Sequence, residues 1–183
     1  MIAVRLPLLA IAVLACLGPV ATIAVEPVAT IAVEAAVPTT TSAAADLACA
    51  GETIDRWHGH VRHRFLFEGK PAWVVERETP LPGDPWSWCM VFPDAFTERC
   101  AAPQLVAAGF HHAYLDVGNT FGCPDAVAKL DAFHAELVRR GLSMKPALIG
   151  IGRGGLSAHR FATDHPDKVA VISGDAAVCD FKS

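Results

Sequence analysis

Residues 145–156 read Lys-Pro-Ala-Leu-Ile-Gly-Ile-Gly-Arg-Gly-Gly-Leu, an apolar β-prone run that enters a helix-forming stretch through glycines at 150, 152, 154 and 155. A strand that turns directly into a helix over so many glycines leaves few folds open. Two chemistries use such a junction. In phosphate cradling, Gly150-x-Gly152-x-x-Gly155 would let a pyrophosphate approach the backbone at a helix N-terminus, and Asp175 lies where a ribose-binding acid belongs. In a nucleophile elbow, G-x-S-x-G, Gly150 and Gly154 take the flanking positions, where a side chain would collide with a neighbouring element. The central position is then Gly152, so the turn should form without the usual strain and carry no nucleophile. The elbow ranks first. The dinucleotide motif normally opens its domain, whereas here most of the body precedes it and few residues follow Asp175.

The flanking sequence alternates between strand and helix signals. Residues 61–67 and 72–76 are β-rich runs around Glu68-Gly69-Lys70-Pro71, a hairpin signal. The apolar run 86–92 (WSWCMVF) and the run 111–117 read as strands, with a short helix near 103–108 between them. Residues 125–140 have helical periodicity, with Ala126, Leu130, Phe133, Leu137 and Val138 on one face and Gly141 as the stop. Residues 145–151 and 169–173 are two more strands, separated by a helix over 156–165. This order predicts an α/β fold, a mostly parallel sheet with an N-terminal hairpin and helices on both faces.

The N-terminus is of another kind. Met1 to Arg5 is a short charged lead, and residues 6–17 are an apolar run stopped by Gly18-Pro19. That is too short for a membrane span and right for a secretory signal. Residues 1–21 are therefore expected to be a signal peptide, which implies an exported protein of the periplasm, cell envelope or extracellular space. Val13-Leu14-Ala15-Cys16 also fits a lipobox, which would place a lipid on Cys16. The octapeptide PVATIAVE follows twice, at 19–26 and 27–34. Residues 22–50, which are Ala/Thr/Ser/Pro-rich after the repeat and hold no aromatic, read as a low-complexity tether. The folded domain is then 51–183. The 52% apolar composition is inflated by the first fifty residues, and the rest is ordinary for a globular body. The slight acidic balance, net −4, argues against nucleic-acid binding and against a polybasic membrane-surface protein. Export would permit disulfides. Beyond Cys16 an odd set remains, Cys49, Cys89, Cys100, Cys123 and Cys179, with no CxxC pair to suggest zinc.

His58, His60 and His63 form an H-x-H-x-x-H group, read as a polar strand edge with a packed His63, so no metal is expected. Asp116 ends a strand and suits a turn better than a cleft. The four tryptophans, 57, 73, 86 and 88, suit core packing better than a sugar platform.

Several segments in order carry a resemblance over residues 57–183: Trp57-x-Gly59, Arg62-His63-x-Phe65, Trp86-x-Trp88, Asp94-Ala95-Phe96, Gly109-Phe110, Tyr114-x-Asp116-Val117, Gly122-x-Pro124, Asp131-Ala132-Phe133, Arg153-Gly154-Gly155-Leu156 and Val178-Cys179-Asp180-Phe181-Lys182-Ser183. The chain resembles exported bacterial α/β-hydrolase-fold proteins of the serine esterase-like and peptidase-like group. The resemblance implies a partial α/β-hydrolase fold, no cofactor, and acyl transfer from a small-molecule ester or carbohydrate ester. Carried over by position, the elbow serine falls on Gly152. The Arg153 amide would be one oxyanion donor, Ala95 or Phe96 the second, and Asp175 a weak candidate for the acid. The Asp94 carboxylate beside that hole is a departure. The family also continues past the last of these segments into strands that carry its histidine, which no position here matches. The chain is thus expected to be inactive alone, as a fragment or a degenerate relative. The rivals are a nucleotide-binding module and a non-catalytic binding protein.

The export reading has a direct check. N-terminal sequencing of the mature protein should begin between Cys16 and Val25. An intact Met1 on protein recovered from the cell envelope would refute it.

Overall fold

The computed structural model describes residues 45–179. The signal, the lipobox, the repeat, the tether up to residue 44 and the end of the last resemblance segment (180–183) lie outside them. Seven strands form one sheet: β1 (Thr53–Trp57), β2 (His60–Phe67), β3 (Lys70–Val75), β4 (Trp86–Cys89), β5 (His111–Leu115), β6 (Ala147–Ile151) and β7 (Val171–Asp175). Three α-helices connect the later strands: α1 (Ala102–Ala107), α2 (Pro124–Arg139) and α3 (Gly154–Asp164). A short 3₁₀ turn, Pro166–Lys168, follows α3.

The sheet order is β1-β2-β3-β5-β4-β6-β7. β1, β2, β3 and β5 pair antiparallel in succession, and β5, β4, β6 and β7 pair parallel. The two hairpins close on His58-Gly59 and Glu68-Gly69, both residues of each pair having positive φ. That conformation matches the twist of the strands it joins. β1 was not anticipated, because its residues, TIDRW, are mostly polar and exposed at the sheet margin.

The period-two alternation of the strands separates two cores. On one face Trp86, Trp88, Ala113, Leu115, Leu148, Val74 and Ala72 meet α2 and α3 through Leu130, Phe133, Leu137, Ala158 and Phe161. On the other, Trp57, Trp73, Val75, Cys89, Ile149 and Ile151 meet α1 through Ala102 and Val106. All four tryptophans are buried. The predicted face of α2 is confirmed at Ala126, Leu130, Phe133 and Leu137, and the helix also buries Val127 and His134. Val127, Leu130, Phe133 and Leu137 each stabilise by about 1.5–3 kcal/mol over leaving the side chain in water.

Two boundaries differ from expectation. β4 stops at Cys89 rather than continuing to residue 92, since Phe92 has φ +62 and cannot extend the ladder. The folded body also starts before residue 51. Leu47 is 5% exposed and belongs to the core beneath α2, the Asp46 N–H donates to Arg140 O at 3.0 Å, and Arg140 Nη1 donates to Leu47 O and Ala48 O. A lone leucine in an alanine-rich stretch carries no periodicity, and burial of its side chain overrides the loop-like composition around it.

A tether residue would tolerate truncation within about 0.5 kcal/mol. Leu47→Ala should instead cost about 2–5 kcal/mol, as core leucines do. Urea unfolding of the full chain measures the difference.

Candidate functional site

The chain passes from β6 to α3 through Gly152, which has φ +49, and Arg153, which has φ −62. Three of the four glycines answer to close packing. A Cβ at Gly150 would lie 3.0 Å from Gly155 Cα, one at Gly154 3.2 Å from Val91 Cβ, and one at Gly155 2.6 Å from Val178 O. Gly152 is different. A Cβ there would meet Phe92 Cε2 at 3.6 Å, an ordinary contact. Space for a side chain exists at Gly152, and only the left-handed backbone disfavours one.

The turn is fixed to the strand beside it. Gly152 N–H donates to Asp175 O at 3.0 Å, and Val178 N–H donates to Gly152 O at 2.8 Å. The Asp175 carboxylate faces the loop after β4, where Arg99 Nε donates to Oδ2 at 2.7 Å and the Cys100 thiol lies 3.6 Å from the same oxygen. The Arg153 guanidinium stacks on the Phe92 ring at 4.4 Å. Gly152 therefore lies against the Asp175 backbone, while the Asp175 carboxylate is turned to the loop after β4.

Ala95 and Phe96 sit differently in the loop after β4. The Ala95 N–H is spent on Phe92 O at 3.1 Å. Phe96 is 57% exposed, and Arg99 stacks on the outside of its ring at 4.1 Å. Phe92 is the residue of this loop that meets Gly152. It was missed because the strand ends three residues earlier than its apolar run, so the loop begins earlier too. Asp94 also departs from expectation. Its carboxylate is exposed and leans toward Arg62 Nη1, 3.9 Å away, rather than toward the turn.

The position of the turn in the sheet suits binding. α1 follows β4 on one face and α3 follows β6 on the other, so the loops after β4 and β6 part where the strand order reverses. Open α/β sheets bind ligands at such a point. Non-glycine residues with positive φ gather along this edge, Phe92, Phe96, Phe121 and Ala176.

Thiols do not supply a nucleophile here. Burial pushes Cys89 up to about 12, and burial, with Asp175 beside it, raises Cys100. Neither is a thiolate at neutral pH. The five described cysteines are all free.

The eight histidines all fall within the described residues. His112 Nδ1 lies 2.8 Å from Ser87 Oγ, but both are fully buried, Trp57 and Trp73 pack on the ring, and burial holds the imidazole down to about 4. This serine–histidine pair is sealed from any substrate. His134 bonds Met144 O, His58 bonds Thr97 Oγ1, and His111 faces Asp84 and the Arg77 amide. His63 lies between Glu52 and Glu76, His60 faces Glu78, and His165 faces Asp131. His159 is exposed on α3. Among the described residues, no cluster of three or more His, Cys, Asp and Glu is arranged to hold a metal ion, and no helix is long and apolar enough to cross a membrane. Asp116 serves a turn, its Oδ1 accepting the Gly118 N–H at 2.8 Å.

Comparison with known proteins places this architecture. No family model matches the sequence, and no curated protein matches it. Among solved structures, a cold-adapted esterase from an Arctic intertidal metagenomic library superposes with TM-score 0.51 at 12% identity, over 66% of this chain and 62% of that one. The fold is that of the α/β-hydrolases. Epoxide hydrolase A from Mycobacterium thermoresistibile is similar at 23% identity over 67% of this chain and 38% of its own, with TM-score 0.44. An epoxide hydrolase from Vigna radiata is similar at 13% over 66% and 39%, with TM-score 0.45. The chain thus spans between about two fifths and three fifths of the length of these α/β-hydrolase-fold relatives.

The two kinds of glycine separate by substitution. Gly155→Ala should cost about 1–3 kcal/mol through overpacking, and Gly152→Ala about 1–2 kcal/mol through its dihedral alone. Because the Gly155 clash is steric, Gly155→Val should be worse than Gly155→Ala in thermal unfolding.

Proposed function

We propose that this α/β-hydrolase-like chain binds a small ester or carbohydrate ester at the C-terminal edge of its sheet and does not cleave it alone. The observation that carries this reading is Gly152, a glycine at φ +49 on the strand-to-helix turn with room for a side chain and none present. In the hydrolase reading, Gly152 stands at the nucleophile's position, the Arg153 amide faces the substrate carbonyl, and Phe92 walls the site. The unit of acyl transfer is a nucleophile with its base. Gly152 has no nucleophile, and seven of the eight described imidazoles are engaged elsewhere, the eighth, His159, standing exposed on α3.

A nucleotide-binding role has less support. The amides opening α3 are turned inward, Gly155 N–H onto Gly152 O and Leu156 N–H onto Arg153 O, and Val178 N–H closes on the same Gly152 carbonyl. Export to the cell envelope, with or without a lipid on Cys16, belongs to the same proposal and rests on the N-terminal sequence.

The test is a p-nitrophenyl acetate assay with fluorophosphonate labelling. The native chain and Gly152→Ser should both be inactive, because a new hydroxyl would have no imidazole to take its proton. Gly152→Ser fused to the C-terminal segment of an active relative should turn over. Turnover by the native chain that survives contaminant controls would overturn the proposal, and micromolar NAD or ATP binding abolished by Gly155→Val would favour the nucleotide reading.

A further inference from the structure

Near the β1 margin of the sheet one imidazole sits between two carboxylates. His63 lies on β2, on the face that carries Phe65 and Phe67, and is 6% exposed. Its Nδ1 is 2.9 Å from Glu52 Oε2, and its Nε2 is 2.8 Å from Glu76 Oε1. Ionised carboxylates only accept hydrogen bonds. Both ring nitrogens must then donate, and only the imidazolium does so. A neutral ring would serve one glutamate and turn a lone pair on the other.

The two glutamates come from separate parts of the chain. Glu76 follows β3 directly. Glu52 belongs to the segment 45–52 that precedes β1, and its Oε2 also accepts the Cys49 N–H at 3.0 Å. That segment has a second anchor at the end of α2, where Arg140 Nη1 reaches Leu47 O, Ala48 O and Cys49 Sγ. The Arg140 anchor keeps its charge at every working pH. The His63 anchor does not.

We propose that the Glu52–His63–Glu76 bridge is a pH-operated latch, which holds residues 49–52 against the sheet while His63 carries its proton and releases them when the proton leaves, Leu47 staying seated in the core. The groups around His63 agree with this. The Cys49 thiol, raised by burial, stays neutral, and His111 at the start of β5 is held down to about 4 by burial and by Arg77. Arg140 is paired with Glu136 on α2 at 2.8 Å. Among the described residues, the two glutamates are the opposite charges that face His63, and Arg140 adds a more distant positive charge to Glu52.

Burial by itself would lower the pKa of His63, but the hydrogen bonds and charges of Glu76 and Glu52 outweigh it and lift it above its ordinary value. Burial alone would raise Glu52, but His63 and the Cys49 amide hold it below the usual carboxylate range. A raised folded-state pKa on His63 means its contribution is complete below its unfolded value and is lost as pH rises through the folded one. A lowered value on Glu52 means its contribution is present above its unfolded value and is lost as pH falls through the folded one. The latch is therefore closed between about pH 4.5 and 6.5, and opens above the raised value of His63.

Two measurements on the full chain test the latch. In NMR titration of the folded protein, His63 should ionise above about 6.5 and return toward that value in Glu52→Gln. A midpoint at or below the ordinary value would overturn the proposal. In the second, Cys49 is modified with a methanethiosulfonate and followed by peptide mapping in the native chain, Glu52→Gln and His63→Gln. Comparison of the native chain with His63→Gln at one pH cancels the common pH dependence of the thiol, whereas Glu52→Gln also removes a charge that raises it and is read only through the change in its ratio between two pH values. At pH 6 the native chain should react measurably more slowly than His63→Gln. At pH 9 the native chain and His63→Gln should converge. A native-to-variant ratio unchanged between the two pH values would show that the segment is held without His63.

Discussion

Backbone packed against backbone, where α3 crosses β6, is the constraint on which the site depends. A Cβ at Gly150 would lie 3.0 Å from Gly155 Cα, and one at Gly155 would strike the Val178 carbonyl. Hydrogen is the only substituent that fits both positions. The crossing draws the segment after β7 over the start of α3, and so the Asp175 and Val178 backbone groups can close on Gly152. Without that approach the turn would have no fixed partner, and the Phe92–Arg153 stack would have nothing to brace it.

Around this crossing, the two cores do different work. The face under α2 and α3 holds the larger aromatic cluster, with Trp86, Trp88, Phe133, His134 and Phe161 in mutual ring contact. It sets the height of α3 above the sheet, and with it the position of the turn. The face under α1 is smaller and carries the buried Ser87–His112 pair. A hydrogen-bonded pair there satisfies two polar groups that β4 and β5 would otherwise bury unpartnered.

How far these features were legible in the sequence depended on whether they left a period. The hairpin of β2 and β3 and the apolar face of α2 follow from spacing, and the strand-to-helix turn from its glycines. β4 was overextended because WSWCMVF is apolar throughout, so hydrophobicity does not mark where pairing stops. The positive φ of Phe92 marks it, and no side-chain pattern records that angle. The misplaced loop start moved attention to Ala95 and Phe96, although Phe92 touches the turn. Leu47 was hidden for a different reason, since one leucine among alanines has no neighbours with which to form a pattern. The two glutamates on His63 were equally hidden, being 11 and 13 residues from it in sequence.

The two margins of the sheet are guarded unequally. β1 presents Asp55 and Arg56, with Arg62 and Arg64 beside them, and Arg62 is locked onto Asp55 at 2.7 Å. Charges on a margin keep it from pairing with a stranger. β7, which among the described residues pairs only with β6, runs Val-Ile-Ser-Gly before its first charge, and Val171 is 55% exposed. Among the described residues, a further strand would therefore meet paired charges along β1 and no charge along the first four residues of β7.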